Sequence, residues 1–356
     1  MPKKSKKDND GTSKALKRRE QFTSELVDTL NKSKSADEHP TQVLGSEGLA
    51  RRIRGVISTQ CPSIDLAIGR GGVPLSRVVL VHGPEGSGKT TLALHLIAET
   101  MRRGGLCSYI DAEYKLDPDY AQAIGVNTDH LVLSQPPYLE RGMQMMEQSI
   151  KMAGRYREEE GVDFPVLVVL DSINALGSKA LKEGDYEAYH MATEARIWSQ
   201  SLKKLVPELA RENVCLLLIS QERVKPGVLF GKKRYPAGGE APRYYSSLTM
   251  EIARKKKEDD EGKGWSVTEV YVSKNQIAKP FKRAQFNIVY GKGIDYEESL
   301  LREAVAVGVV EQGGSWFRYG KNRIGQGATK ATDYLRKSPA VVDEIATKLG
   351  LESRHG

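Results

Sequence analysis

Gly83-Pro84-Glu85-Gly86-Ser87-Gly88-Lys89-Thr90 is a full match to the phosphate-loop pattern G-x-x-x-x-G-K-[ST]. It follows the apolar run 77–82 and opens a helical pattern over 90–103, the strand–loop–helix context that the motif requires. Glycines let successive backbone N–H groups curl around phosphate oxygens, and a helix N-terminus adds a favourable field for the anion. Lys89 is therefore expected to reach the β- and γ-phosphates of a nucleotide, and the Thr90 hydroxyl to ligate Mg²⁺. Gly83, Pro84, Glu85, Gly86, Ser87, Gly88, Lys89, Thr90 and Thr91 make up the candidate cradle.

Working outward, short apolar runs at 77–82, 107–110, 131–133, 166–170 and 214–220 alternate with helical patterns at 90–103, 118–124, 140–155 and 196–211. Strands too apolar to face water, separated by helices, predict an α/β fold with a mainly parallel central sheet. Beyond residue 246 the runs 248–252, 266–273 and 285–290 alternate in polarity and read as antiparallel strands extending the sheet. Helical patterns at 297–307 and 340–349 enclose an aromatic, Gly-rich piece at 313–327, which predicts a small α+β C-terminal domain. The run 166–170 ends in Asp171-Ser172, so Asp171, at a parallel strand end beside the phosphate loop, is the expected Mg²⁺ partner. The run 107–110 leads into Asp111-Ala112-Glu113, and Glu113 is the candidate general base.

The 356 residues include 54 Lys and Arg against 46 Asp and Glu, a net charge of +8, with a mean hydropathy of −0.47. The longest apolar runs fall far short of the roughly 18 residues of a membrane-spanning helix. Three cysteines, Cys61, Cys107 and Cys215, are too few and too irregularly spaced for a disulfide framework or a zinc site. With no signal-like stretch at the N-terminus, a reducing, cytoplasmic setting is expected and a membrane partner is not. The positive charge is local: residues 1–19 hold eight basic against two acidic side chains, and residues 223–283 hold fifteen against seven, leaving the remainder net negative. Residues 1–13 have almost nothing to bury and read as a disordered basic tail, either inert or an extra hold on a polyanion. Leu16, Phe22, Leu26, Val27 and Leu30 fall near helical spacing over 15–30, and such an isolated helix must dock on the main domain or on another chain.

Taken together, these stretches resemble the bacterial RecA recombinase family over about residues 47–349. The resemblance rests on Ser63-Ile64-Asp65-Leu66-Ala67, the phosphate loop, Asp111-Ala112-Glu113 with Leu116-Asp117-Pro118, Ser134-Gln135-Pro136, Asp171-Ser172, Gln221, Gly227-Val228-Leu229-Phe230-Gly231, Gly238-Gly239, Lys274-Asn275, Pro280-Phe281-Lys282 and Ile324-Gly325-Gln326-Gly327. It implies a RecA-type P-loop ATPase core, with ATP and Mg²⁺ as cofactors. The implied activity is assembly of a homo-oligomeric helical filament on single-stranded DNA, followed by pairing and strand exchange with homologous double-stranded DNA. The implied organisation is a tail at 1–13, an N-terminal helix and linker at 14–47 for packing between protomers, the core at 48–292 and a C-terminal domain at 293–356.

Residue by residue, the resemblance gives Glu113 the activation of water, Asp117 and Tyr120 the adenine, and Gln221 the sensing of the γ-phosphate. Lys274 corresponds to a residue that reaches the γ-phosphate across the protomer interface. Two connections resemble the family's DNA-binding loops, about 178–191 and 222–240, expected to lack fixed structure until DNA arrives. They and the helix after the first supply Met191, Arg196, Ser199, Lys203, Arg223, Lys225, Gly238, Gly239 and Arg243 as DNA-binding candidates. Cations there meet phosphates, and glycines allow close backbone approach. Met191 either fills space or wedges between base steps.

The chain also departs from the family pattern: Pro226 stands for an aliphatic residue, Glu240 for Asn, Tyr244 for Phe and Gln276 for a second interface lysine. Gln276 supplies no charge, so hydrolysis is expected to be slower or otherwise organised, with Lys279 near enough in sequence to compensate. The family's acidic C-terminal tail is not matched by Leu351-Glu352-Ser353-Arg354-His355-Gly356. Arg254-Lys255-Lys256-Lys257, followed by Glu258-Asp259-Asp260-Glu261, is either a solvated hairpin tip or part of a weaker duplex site. Two other function classes stay open at this stage: a ring-shaped RecA-fold motor, and a filament that protects single strands or signals with little exchange.

Overall fold

The computed structural model describes residues 8–34, 41–43, 54–184, 191–224, 234–236, 239–255 and 264–354. The chain divides into two compact units, Met1–Arg52 and Ile53–Gly356. In the first, helix α1 (Asp8–Lys32) starts at Asp8, so residues 8–13, expected to be unstructured, form its opening turns. Once the apolar positions have nucleated a helix, each further residue adds a hydrogen bond at little cost. Leu16, Phe22, Leu26 and Leu30 are exposed on α1, Phe22 by 65%.

The second unit runs through β1 (Val56–Ile57), α2 (Pro62–Ile68), β2 (Val73–Pro74), β3 (Val78–Gly83), α3 (Lys89–Arg102), β4 (Leu106–Asp111), α4 (Pro118–Ile124), β5 (Val132–Ser134), α5 (Leu139–Glu160) and β6 (Val166–Asp171). It continues through α6 (Lys179–Glu183), α7 (Met191–Arg211), β7 (Val214–Val224), β8 (Arg234–Pro236), α8 (Ala241–Tyr245), β9 (Ser246–Arg254), β10 (Trp265–Asn275), β11 (Arg283–Val289) and β12 (Gly293–Ile294). Among the described residues β3 to β12 build one large sheet in the order β12-β11-β10-β9-β3-β7-β6-β4-β5, with β8 paired to β7, while β1 and β2 pair with each other apart from it. Neighbours from β9 through β5 are parallel, and the pairings of β10, β11 and β12 are antiparallel. The expected antiparallel extension therefore begins one strand later, because β9 lies parallel to β3. Ser246, Ser247 and Thr249 are buried in β9 and interrupt what would otherwise read as a continuous apolar, doubly covered strand.

Alternate residues of the central strands feed two cores, one on each face. Val79, Val81, Leu167, Val169, Leu217 and Ile219 join α2, α3 and α4 on one side. Val78, Leu80, Val168, Leu170, Leu216 and Leu218 join α5 and α7 on the other. Burial on both faces explains why these strands are apolar throughout. After β12 come α9 (Tyr296–Ala306), β13 (Glu311–Gly313), β14 (Trp316–Tyr319), β15 (Asn322–Gln326), α10 (Ala328–Arg336) and α11 (Pro339–Lys348), with a core of their own. Helix α10 was not expected from the sequence. A Cβ on Gly325 would lie 2.4 Å from the Ala331 nitrogen, so the Ile324-Gly325-Gln326-Gly327 stretch lets β15 press against the start of α10.

Candidate functional site

The register of the parallel strands collects their C-terminal ends at one edge. Gly83 of β3 is opposite Gln221 of β7, and Asp111 of β4 is opposite Asp171 of β6. Gly86 and Gly88 adopt positive φ of 68° and 93°, where side chains are strained. A Cβ on Gly83 would fall 2.0 Å from the Ile252 carbonyl oxygen, and one on Gly88 2.4 Å from Ile288 Cδ1. The loop is thus wedged against β9 and β11, while the Gly86 side has open space. Helix α3 begins with no side-chain cap, so its first N–H groups are directed at the loop. Ser87 Oγ is buried and has no hydrogen-bond partner, which fits a phosphate-accepting cradle.

Lys89 is buried and donates to the carbonyl oxygens of Gly83 and Pro84 at 3.0 and 2.7 Å. Burial lowers its pKa, opposed by Asp171, Glu113, Glu222 and Glu85. Thr90 Oγ1 donates to Asp171 Oδ2 at 2.7 Å, and Tyr109 OH donates to the same oxygen at 2.8 Å. Burial pushes the Asp171 carboxyl up, against those two hydrogen bonds. Thr90 and Asp171 together form a hard oxygen pair of the kind Mg²⁺ prefers.

Glu113 is brought to the same edge. Its Oε1 accepts Ser172 Oγ at 2.5 Å and Gln221 Nε2 at 2.9 Å, and its Oε2 faces Lys115 Nζ at 3.2 Å. Burial alone would raise its pKa, but the bonds from Ser172, Lys115 and Gln221 outweigh burial and hold the carboxyl below the usual range. Asn174 fixes Gln221 by accepting from its backbone N–H at 2.8 Å. One residue beyond Gln221, Glu222 Oε1 lies 3.1 Å from Nδ1 of the buried His82, so the strand before the phosphate loop is tied to the root of the second connection. Ser172, Asn174 and Lys115 were not singled out from sequence. Ser172 could have been found from the Asp171-Ser172 pair, whereas Lys115 has no motif to mark it.

Thr91 Oγ1 and Tyr120 OH are 2.9 Å apart, which places Tyr120 against the start of α3. Asp117 is exposed and caps α4, accepting from the N–H groups of Asp119 and Tyr120 at 2.9 and 3.3 Å. Lys274 is not drawn into this cluster; its ammonium donates to the carbonyl oxygens of Arg243 and Tyr244, both at 2.9 Å.

Arg196, Ser199 and Lys203 are exposed along one stripe of α7, opposite the buried Trp198, Leu202, Leu205 and Leu209. Gly239 has φ 75°, and its Cβ would sit 3.3 Å from the Ala195 Cβ, so the end of the second connection approaches α7 closely. Arg243 is exposed on α8. The connection 178–191 is not irregular throughout: Ser178 caps α6 through the Leu181 N–H at 3.2 Å. The connection 222–240 is likewise partly ordered, since Val224 pairs with Arg234 in the β7–β8 ribbon. Backbone hydrogen bonding supplies that order where the glycines suggested none. Lys225 and Gly238 lie outside the described residues, as do the side chains of Met191 and Arg223. Among the described residues no helix is long and apolar enough to cross a membrane.

The chain is similar along most of its length to known proteins. Residues 33–295 match the RecA N-terminal domain and residues 298–352 the RecA C-terminal domain. The chain is 42% identical over 293 residues to Protein RecA of Rickettsia canadensis, covering 81% of this chain and 82% of that one. It is 43% identical over 292 residues to Protein RecA of Paramagnetospirillum magneticum, covering 82% and 78%. With Protein RecA of Psychrobacter arcticus the identity is 39% over 311 residues, covering 87% and 85%.

Proposed function

The chain belongs to the RecA family, and from that premise we propose that it is a DNA-dependent ATPase that assembles as a helical filament on single-stranded DNA and exchanges strands with homologous duplex. The observation that carries this reading is the hydrogen bond from Gln221 to Glu113. It joins the carboxylate beside the phosphate loop to the root of the connection that leads toward Gly239 and α7. A change at the nucleotide therefore has a short path to the surface bearing Arg196, Ser199 and Lys203.

In this reading the loop N–H groups, Ser87 and Lys89 hold the phosphates of ATP, and Tyr120 and Asp117 border the base. Thr90 and Asp171 would hold Mg²⁺, which neutralises charge building on the phosphate oxygens. Glu113, its Oε1 fixed by Ser172 and Gln221, orients a water at its other oxygen and takes that water's proton as the water oxygen bonds to the terminal phosphorus and the bond to the departing ADP oxygen breaks. Arg196, Ser199, Lys203, Arg243 and Gly239, with Met191, Arg223, Lys225 and Gly238, form the DNA surface, and a cytoplasmic setting goes with a DNA partner. Lys274 is assigned to the nucleotide of a neighbouring copy.

The neighbouring copy is also the proposed partner of α1. The exposed Leu16, Phe22, Leu26 and Leu30 suit an apolar groove of about 390 Å³ on a second copy, lined by Leu106, Val132, Met145, Met152, Tyr156 and Val166. Burying one large apolar side chain is worth about 1.5–3 kcal/mol, so Phe22→Ala should weaken each contact roughly tenfold or more. Light scattering with ATP and single-stranded DNA should show assembly shifted to higher protein concentration; an unshifted threshold would remove α1 from the interface.

The deciding experiment combines a strand-exchange assay, using homologous and non-homologous duplex, with electron micrographs of the assembly. Joint molecules formed only with homologous duplex, on open helical filaments, are expected. Closed rings that translocate along DNA, or filaments that give no exchange, would overturn the reading.

A further inference from the structure

We infer that Lys115 is a mobile cation of the hydrolytic site, resting on Glu113 and transferring to the terminal phosphate of a bound nucleoside triphosphate. This deepens the ATPase reading and depends on it. The Glu113 carboxylate is held differently at its two oxygens. Oε1 takes two donors from the ends of β6 and β7, Ser172 and Gln221, while among the described residues Oε2 faces only the Lys115 ammonium, at 3.2 Å. Ser172 and Gln221 are set by the sheet. Lys115 is a long side chain exposed by 65%.

The base of that side chain is nevertheless fixed. The buried Asp111 carboxylate accepts the backbone N–H groups of Lys115 and Leu116 at 3.3 and 3.2 Å, and Tyr114 just before them has φ 58°. An exposed ammonium on an anchored backbone swings about a set pivot. Besides Glu113, Glu85 of the phosphate loop and Asp171 of β6 also act on it. All three belong to the hydrolytic site, so the ammonium lies in the field of the place a terminal phosphate would occupy.

The consequence follows from charge. A terminal phosphate carries more negative charge than one carboxylate and accepts hydrogen bonds from an ammonium as readily. Its arrival draws Lys115 away and leaves Glu113 Oε2 open to a water. Substrate binding thereby unmasks the base, and the same cation meets the charge that develops on the phosphoryl group. A diphosphate offers no such group at that position, so Lys115 stays on Glu113.

The test uses the full chain with Lys115→Ala and Lys115→Arg, each checked for an unchanged thermal midpoint. Equilibrium binding of a fluorescent, non-hydrolysable ATP analogue is compared with that of fluorescent ADP. Lys115→Ala should weaken the triphosphate about tenfold and the diphosphate less than twofold, the scale of one charged hydrogen bond. Single-turnover hydrolysis on single-stranded DNA should fall about 10- to 100-fold, and Lys115→Arg should restore most of both losses. Equal weakening of the two nucleotides, unchanged triphosphate binding, or a wild-type hydrolysis rate in Lys115→Ala would overturn the inference. If unaltered protein binds the triphosphate but never hydrolyses it, the ATPase reading fails instead; the binding comparison then still reports on Lys115.

Discussion

Lys89→Ala should lower ATP hydrolysis on single-stranded DNA by about 10³-fold and prevent stable filament assembly. Lys89 is the one cation buried in the phosphate loop among the described residues, and its ammonium is held by two loop carbonyls rather than by a carboxylate. Removing a preorganised charge or donor from a reacting oxyanion costs about 10²–10³ in rate, and here nucleotide affinity is lost as well. The fold should survive. Burial already opposes the Lys89 charge, so its loss relieves a desolvation cost, and the thermal midpoint without nucleotide should stay level or rise. Hydrolysis at more than a tenth of the wild-type rate would show that the loop does not hold the reacting phosphates.

Glu113→Gln separates binding from chemistry. The amide oxygen keeps an acceptor for Ser172 and Gln221, so the link to the second connection stays in place. The proton acceptor is lost, and general-base contributions of about 10²–10⁴ set the expected drop in hydrolysis. ATP binding and assembly should persist, and filaments should outlive those of the unaltered protein because the step that weakens DNA contact is slowed. Dissociation from a fluorescent single strand after dilution measures this directly. A variant that hydrolyses slowly yet releases DNA at the normal rate would uncouple Glu113 from DNA release.

The two variants touch parts of the site that differ in how visible they are in a sequence. The phosphate loop is local: eight consecutive residues, a strand before and a helix after, all readable from spacing. Asp171 and Glu113 are readable as strand-end carboxylates, but their meeting depends on β6 lying between β4 and β7, and strand order leaves no local trace. Gln221 and Glu113 are separated by 108 positions and meet for that reason alone. Lys115 was passed over because an exposed lysine after a polar turn is the commonest of surface features. The direction of β9 was misread because Thr249 and Glu251 alternate with Leu248, Met250 and Ile252 as on a half-exposed strand, although Thr249 is buried.

In the proposed contact the exposed stripe of α1 meets the groove beside β5 of a second copy, so unlike patches are paired. Such a joint lacks two-fold symmetry and does not exhaust itself at a dimer. Every assembly then has two chemically distinct tips, one offering a bare helix and the other a bare groove. Growth through the proposed contact would have a polarity inherited from the order of the polypeptide. Length is governed by how often a new assembly starts and by which tip accepts the next copy, rather than by a fixed stoichiometry.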